Sequence, residues 1–316
     1  MIYSSASKLQ RGTRVIVAAL FIALGMLTLA FVADWVAQAR RHADTPDPGR
    51  PDAERIAVGF VANFFDALGI GSFATSTTYF RLRKLVRDEL IPGSLNVGYA
   101  LPTITQAFIG IAVIEVDPMT LALMIAAAVI GSWFGAGVVS RMPRRAIQVG
   151  MGVALLVAAG FFLARLLQWM PSSDTGTLDL TGVKLVLGLT GSFLLGTIMP
   201  LGIGYYAPCM ILVSLLGMNP RASFPIMMGA CAFLMPVASM NFIRARRYSL
   251  RTTVGMALGG IVGSALALLV VKEMDLNNVR WLVMFVVLYT GVSLLRTAAR
   301  EKAEAVGAGR AAPAAE

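Results

Sequence analysis

The chain has 316 residues, of which 57% are hydrophobic and only 14% charged, with a formal net charge of +10. A soluble domain carries about 25% charged and about 45–50% apolar residues, so a water-soluble enzyme, a secreted disulfide scaffold and a disordered chain are all excluded. Charge-free apolar stretches of about 18 residues or more recur, the mark of membrane-spanning helices, and the expected class is an all-α polytopic membrane protein.

The first apolar segment runs from about 15 to 36, behind Lys8, Arg11 and Arg14. Ala37-Gln38-Ala39 imitates a signal-peptide cleavage site. The apolar stretch exceeds the roughly 7–15 residues usual in such peptides, and Arg40-Arg41 follow at once, so it reads as a retained helix. A polar linker over 40–54, with Pro46, Pro48, Gly49 and Pro51, completes an N-terminal region of residues 1–55.

Beyond the linker the chain repeats itself. At an offset of 133, Leu68-Gly69-Ile70-Gly71 matches Leu201-Gly202-Ile203-Gly204, and Ala74, Leu82, Pro92 and Leu101 match Ala207, Leu215, Pro225 and Leu234. At 132, Gly131-Ser132 matches Gly263-Ser264, and at 131 Arg165 matches Arg296. The ordered drift assigns repeat one to 56–168, a connecting loop to 169–180, repeat two to 181–298 and an Ala-rich cytoplasmic tail to 299–316. Each copy opens with a segment interrupted by Leu-Gly-Ile-Gly. Three apolar segments follow, near 92–113, 118–140 and 144–167 in the first copy and 222–243, 252–271 and 279–297 in the second. Pro92 and Pro225 mark a start or kink of the next helix.

The interrupted segment of repeat two, 183–217, spans 35 residues. As one helix it would measure about 52 Å against a hydrocarbon core of about 30 Å, so it is expected to bend back at its glycines. Charge sorting agrees. If each interrupted segment crosses once, the 27 Lys and Arg divide 13 to 14 across the membrane; if both double back, they divide 19 to 8. The positive-inside rule prefers the second arrangement. A hairpin in repeat two alone gives 18 to 9; a shared fold argues for two hairpins, and the side of the N-terminus stays open. A hairpin plus three crossings is odd, so the copies have opposite orientation, a common plan of secondary transporters. The expected fold is therefore two inverted repeats, each an interrupted helical hairpin plus three transmembrane helices, with one extra N-terminal helix.

Backbone opened at membrane depth is tolerated where protein or a water-filled cavity satisfies it. A half-helix starting there turns free N–H groups and a positive dipole end toward that cavity. The candidate anion-binding residues are Gly69, Gly71, Ser72, Thr75 and Ser76 in repeat one, and Gly202, Gly204, Tyr205, Tyr206 and Cys209 in repeat two. Their recurrence in both copies favours this role for the glycines over the alternative, close helix packing. Asn96 either faces the same cavity or bonds to a neighbouring helix. Cys209, in a half-helix's first turn, has either a lowered thiol pKa or an apolar packing role. Asp66 also has two readings: a proton-coupling carboxyl at depth, or a cap on a shallow half-helix near water. The arginine clusters at 81–87, 141–145 and 244–251 set topology and meet lipid headgroups, so the basic charge implies the bilayer and not nucleic acid. The single His42 and the unpaired Cys209 and Cys231 give no metal or cofactor pattern, and no enzymatic activity is expected.

With the repeats and their motif in hand, the chain resembles the TauE/SafE sulfite exporter family, also called the toluene sulfonate uptake permease family. The resemblance rests on Leu201-Gly202-Ile203-Gly204 with Pro208, then Leu216-Gly217-Met218-Asn219-Pro220 and Ala222-Ser223, echoed by Leu68-Gly69-Ile70-Gly71. Ser72 and Tyr205 stand where family copies usually continue the glycine run. The resemblance implies a multi-pass carrier of the bacterial inner membrane for sulfite, organosulfonates or related anions, driven by an ion gradient. An anion channel, or a carrier for an unrelated small organic anion, is the alternative.

Overall fold

The computed structural model describes residues 2–41, 50–67, 72–110, 116–167, 169, 177–202, 204–219 and 222–270, together with 288–289, 292, 295–296 and 299. The first Leu-Gly-Ile-Gly motif, most of the segment expected at 279–297 and nearly all of the tail lie outside these residues. Among the described residues the ordered elements are helices, ten of them longer than a single 3-10 turn. They are α1 (Ile2–Arg41), α2 (Ala53–Ala67), α3 (Phe73–Arg83), α4 (Ile91–Gly110), α5 (Pro118–Val139), α6 (Arg144–Leu166), α7 (Gly182–Ile198), α8 (Tyr206–Leu215), α9 (Ser223–Arg244) and α10 (Leu250–Val270). Among the described residues, five stretches are long and apolar enough to cross a membrane: Val15–Arg41, Pro118–Val139, Gly182–Leu201, Ser223–Arg244 and Leu250–Leu269. This is the architecture of an all-α membrane protein.

Local chemistry sets several helix ends. Asp117 caps α5, accepting the Thr120 N–H at 2.7 Å, with Pro118 in the first position, where a missing N–H costs little. Lys84 and Arg246, both at φ 53°, turn the chain left-handed after α3 and α9. Pro92 and Pro225 fall in the first turns of α4 and α9, as their sequence positions suggest. Two prolines that the sequence analysis passed over, Pro102 and Pro236, lie inside these same helices. The first helix is longer than its apolar stretch, because Ile2 to Val15 and Ala37 to Arg41 continue it.

The helices pack in matched pairs. α2 lies against α10 and α7 against α5; α4 contacts α10 and α9 contacts α5; α4 and α9 face one another. Small residues permit these approaches. A Cβ on Gly263 would stand 2.2 Å from the Phe60 carbonyl oxygen, and one on Gly131 would stand 2.0 Å from the Phe193 carbonyl oxygen. α1 lies outside this set against α9, α5 and α4, with Phe21 stacked on Phe108 at 5.4 Å between centroids.

Both interrupted segments bring their two ends together. Glu54, in the first turn of α2, accepts from Arg83 Nε and from the Tyr79 hydroxyl of α3, each at 2.8 Å. Thr177, just before α7, bridges to Met218, just after α8. Its N–H donates to the Gly217 carbonyl at 3.2 Å, and its carbonyl accepts from the Asn219 N–H at 2.9 Å.

Candidate functional site

α2 ends at Ala67 and α3 begins at Phe73, and Asp66 stands in the last turn of α2 beside that break. Its side chain is buried, with the residue only 4% exposed. Oδ1 accepts the Ser72 N–H at 2.7 Å and Oδ2 accepts from Gln106 Nε2 at 2.9 Å. The same Nε2 donates to Ser264 Oγ of α10 at 3.1 Å. Tyr206, the first residue of α8, donates its hydroxyl hydrogen to Gln106 Oε1. A continuous polar chain thus joins α2, α4, α8 and α10 to the start of α3. Asp66 makes the cap contact with the Ser72 N–H and is enclosed by protein.

The hydroxyls of α3 divide by partner. Thr75 Oγ1 donates to the Ser72 carbonyl at 2.9 Å, and Ser76 Oγ bonds the Tyr99 hydroxyl of α4. Thr77 is fully buried and its Oγ1 has no partner among the described residues. A Cβ on Gly202 would lie 3.9 Å from that oxygen, so the second interruption comes up against α3. This interruption is a 3-10 turn, Met199–Leu201, followed by Gly202 at φ 103° and Gly204 at φ 77°. Both are in the left-handed region that glycine adopts at no steric cost.

Beyond it, the Tyr205 hydroxyl donates to Ser192 Oγ of α7 at 3.2 Å. Cys209 is free, fully buried and in the first turn of α8, in the surroundings of a packing residue. Asn96 is also fully buried. Its Nδ2 donates to the Pro92 carbonyl of its own helix at 2.8 Å, while Oδ1 has no partner among the described residues. Gly69 and Gly71 lie outside the described residues.

Gln106, Ser264, Tyr99, Ser192 and the open hydroxyl of Thr77 were not singled out from the sequence. A lone glutamine in a charge-free segment was the available signal for Gln106, and the Gly263-Ser264 match was the signal for Ser264.

The basic residues are held elsewhere. Arg83 pairs with Glu54, Arg81 lies 3.4 Å from Asp88, and Asp52 pairs with Arg55 and, at 3.3 Å, with Arg251. The Arg55 backbone N–H, reinforced by the Arg55 and Arg251 charges, holds the Asp52 carboxyl below the usual carboxylate range. Among the described residues, no group of three His, Cys, Asp or Glu side chains is arranged to hold a metal. The core around α3, α4 and the second interruption carries, among the described residues, amide, hydroxyl and phenol groups, helix N-termini and one carboxyl. This is chemistry suited to a small anion and a proton. No protein-family profile, no curated protein and no solved structure matches the chain.

Proposed function

We propose that this chain is a secondary active transporter of a small anion, with a sulfur oxyanion or organosulfonate as the favoured substrate class. In this reading it is a multi-pass protein of the bacterial inner membrane, related to the TauE/SafE exporters, with two inverted repeats that alternate access around a shared site. The carrying observation is the approach of the second interruption to α3 and α4: the Thr77 hydroxyl, unpartnered among the described residues, lies near Gly202, and Tyr206 reaches across to Gln106. Half-helix N-termini converging at a repeat interface are how many carriers hold anionic groups.

The inverted arrangement draws support from packing and from the helix ends. Exchanging α2, α4 and α5 for α7, α9 and α10 leaves the set of packed pairs unchanged. The start of α4 and the start of α10 share one end of the bundle, where Ser94 Oγ accepts the Ser249 N–H at 3.0 Å. At the other end, the start of α5 meets the segment before α7, where the Asp117 N–H donates to the Leu178 carbonyl at 3.0 Å. The paired ends of α2 and α3 lie with the first group: Arg55 Nε donates to Thr252 Oγ1 at 3.0 Å. The paired ends of α7 and α8 lie with the second. In this reading α4 and α9 run in opposite directions, as do α5 and α10.

The test is uptake into proteoliposomes of sulfite, thiosulfate, sulfoacetate, taurine and simple carboxylates, with and without a proton gradient. Saturable, gradient-driven accumulation of a sulfur anion is expected. Absence of flux for every compound contradicts the reading, and a high unitary conductance in planar bilayers replaces the carrier with a channel.

A further inference from the structure

We propose that the Asp66 carboxylate and the transported anion compete for the N-terminal end of α3, so that an anion binds only when Asp66 is protonated, and that Gln106 passes this change to Tyr206. The inference rests on the transport reading and adds its coupling ion and sign.

The N–H groups of Phe73 and Ala74 have no carbonyl within α3 to bond, because the Ser76 N–H makes the first turn's bond to Ser72. Such an end carries partial positive charge and takes an anion. Asp66 already supplies one, through its 2.7 Å contact with the Ser72 N–H. The groups facing or linked to Asp66 are Ser72 at the start of α3, Tyr99 and Gln106 from α4, Tyr206 from α8, Cys231 from α9 and Ser264 from α10. None is a cation. A second negative charge at this helix end therefore meets the first in a medium that screens it poorly. Protonating Asp66 removes that repulsion. An independent sign of a ligand here is Thr77, fully buried, with its hydroxyl unpartnered among the described residues and near the second interruption at Gly202.

The amide of Gln106 must follow the proton. An ionised carboxylate only accepts hydrogen bonds, so Nε2 serves Asp66 and Ser264, and Oε1 is left for Tyr206. When one proton joins the carboxylate, the new Asp66 O–H donates, and the Gln106 amide turns by about 180° to offer Oε1. The Ser264 hydroxyl rotates and donates to the same oxygen. Nε2 now donates to the Tyr206 phenol oxygen, and the Tyr206 O–H is released at the first residue of α8. One proton is bound and none is lost elsewhere. The same event neutralises the start of α3 and adds a donor at the start of α8.

The result is symport of a proton with an anion. Apparent affinity falls about tenfold per pH unit above the pKa of Asp66. The test uses thiosulfate, methanesulfonate and sulfoacetate, whose charges stay constant between about pH 5.5 and about pH 8.5, with half-saturation of uptake measured across that interval. The wild type is expected to show the slope. Asp66→Asn is expected to bind with an affinity that no longer varies with pH and to lose proton-driven accumulation. Tyr206→Phe is expected to weaken binding several-fold with the slope intact. Wild-type flux with a flat affinity, or an Asp66→Asn variant with the wild-type slope, overturns the competition and leaves the transport reading standing. Unchanged affinity in Tyr206→Phe overturns the Gln106 relay. No flux of any of the three anions by the wild type at any pH overturns the transport reading and this inference with it.

Discussion

Gly263 of α10 rests against the backbone of Phe60 in α2, so closely that a Cβ would stand 2.2 Å from the Phe60 carbonyl oxygen. Gly131 of α5 meets Phe193 of α7 in the same way, at 2.0 Å. The two glycines are 132 residues apart and the two phenylalanines 133 apart, the offsets at which the sequence matches itself. A backbone carbonyl cannot withdraw as a flexible side-chain tip can. Gly131→Leu and Gly263→Leu are therefore expected to destabilise the protein by at least the roughly 1–3 kcal/mol typical of overpacking. Thermal unfolding in detergent reads this as a clearly lowered midpoint for each variant. Wild-type midpoints for both would contradict the close packing.

Thr77 makes the opposite prediction for stability. Its Oγ1 is buried without a partner among the described residues, and such a group costs free energy in the absence of a ligand. Thr77→Val keeps the shape and removes the polar atom. It is expected to match or exceed the wild-type unfolding midpoint while weakening anion binding about tenfold, the size of one lost hydrogen bond in a dry site. Unchanged binding would remove Thr77 from the site.

Gly202 tests the interruption itself. At φ 103° it holds a conformation that a side chain strains, and its missing Cβ faces Thr77. Gly202→Leu is expected to reach the membrane but to abolish flux, and a bulky residue at Gly69 is expected to act alike. Membrane fractionation and uptake on the same preparation separate the two effects. Undiminished transport by both variants would exclude the interruptions as the binding site.

At the basic end of the bundle, Asp52 links Arg55 of α2 to Arg251 of α10. Its folded carboxyl titrates below its ordinary value. The stabilisation is therefore present above the unfolded-state pKa and is lost as pH falls through the folded one. Asp52→Asn is expected to lower the unfolding midpoint at neutral pH, with the gap to wild type closing on acidification below the carboxylate range. A gap independent of pH would assign the effect to packing instead of charge.

Much of the helical layout was legible because it follows from apolar length. α4, α5, α6, α9 and α10 fall within a few residues of the segments read from the sequence. The glycine matches were legible too, since Gly131-Ser132 and Gly263-Ser264 mark real approaches. The polar chain was not. Asp66 drew notice as a charge in an apolar run, yet its partner Gln106 and that residue's own partner Ser264 lie 40 and 198 residues further on than Asp66, and only packing brings them together. Internal symmetry gave no guide, because Met199 stands at the repeat-two position of Asp66. Pro102 and Pro236 lie inside the segments read as 92–113 and 222–243, and the helices continue through them.

The most direct test of the central claim is anion counterflow in proteoliposomes loaded with unlabelled thiosulfate or sulfonate and diluted into the labelled compound. The wild type is expected to show saturable exchange of at least one sulfur anion, and Gly202→Leu none. Exchange that is absent in the wild type, or equal in the two proteins, would contradict an anion carrier built around the second interruption and the start of α3.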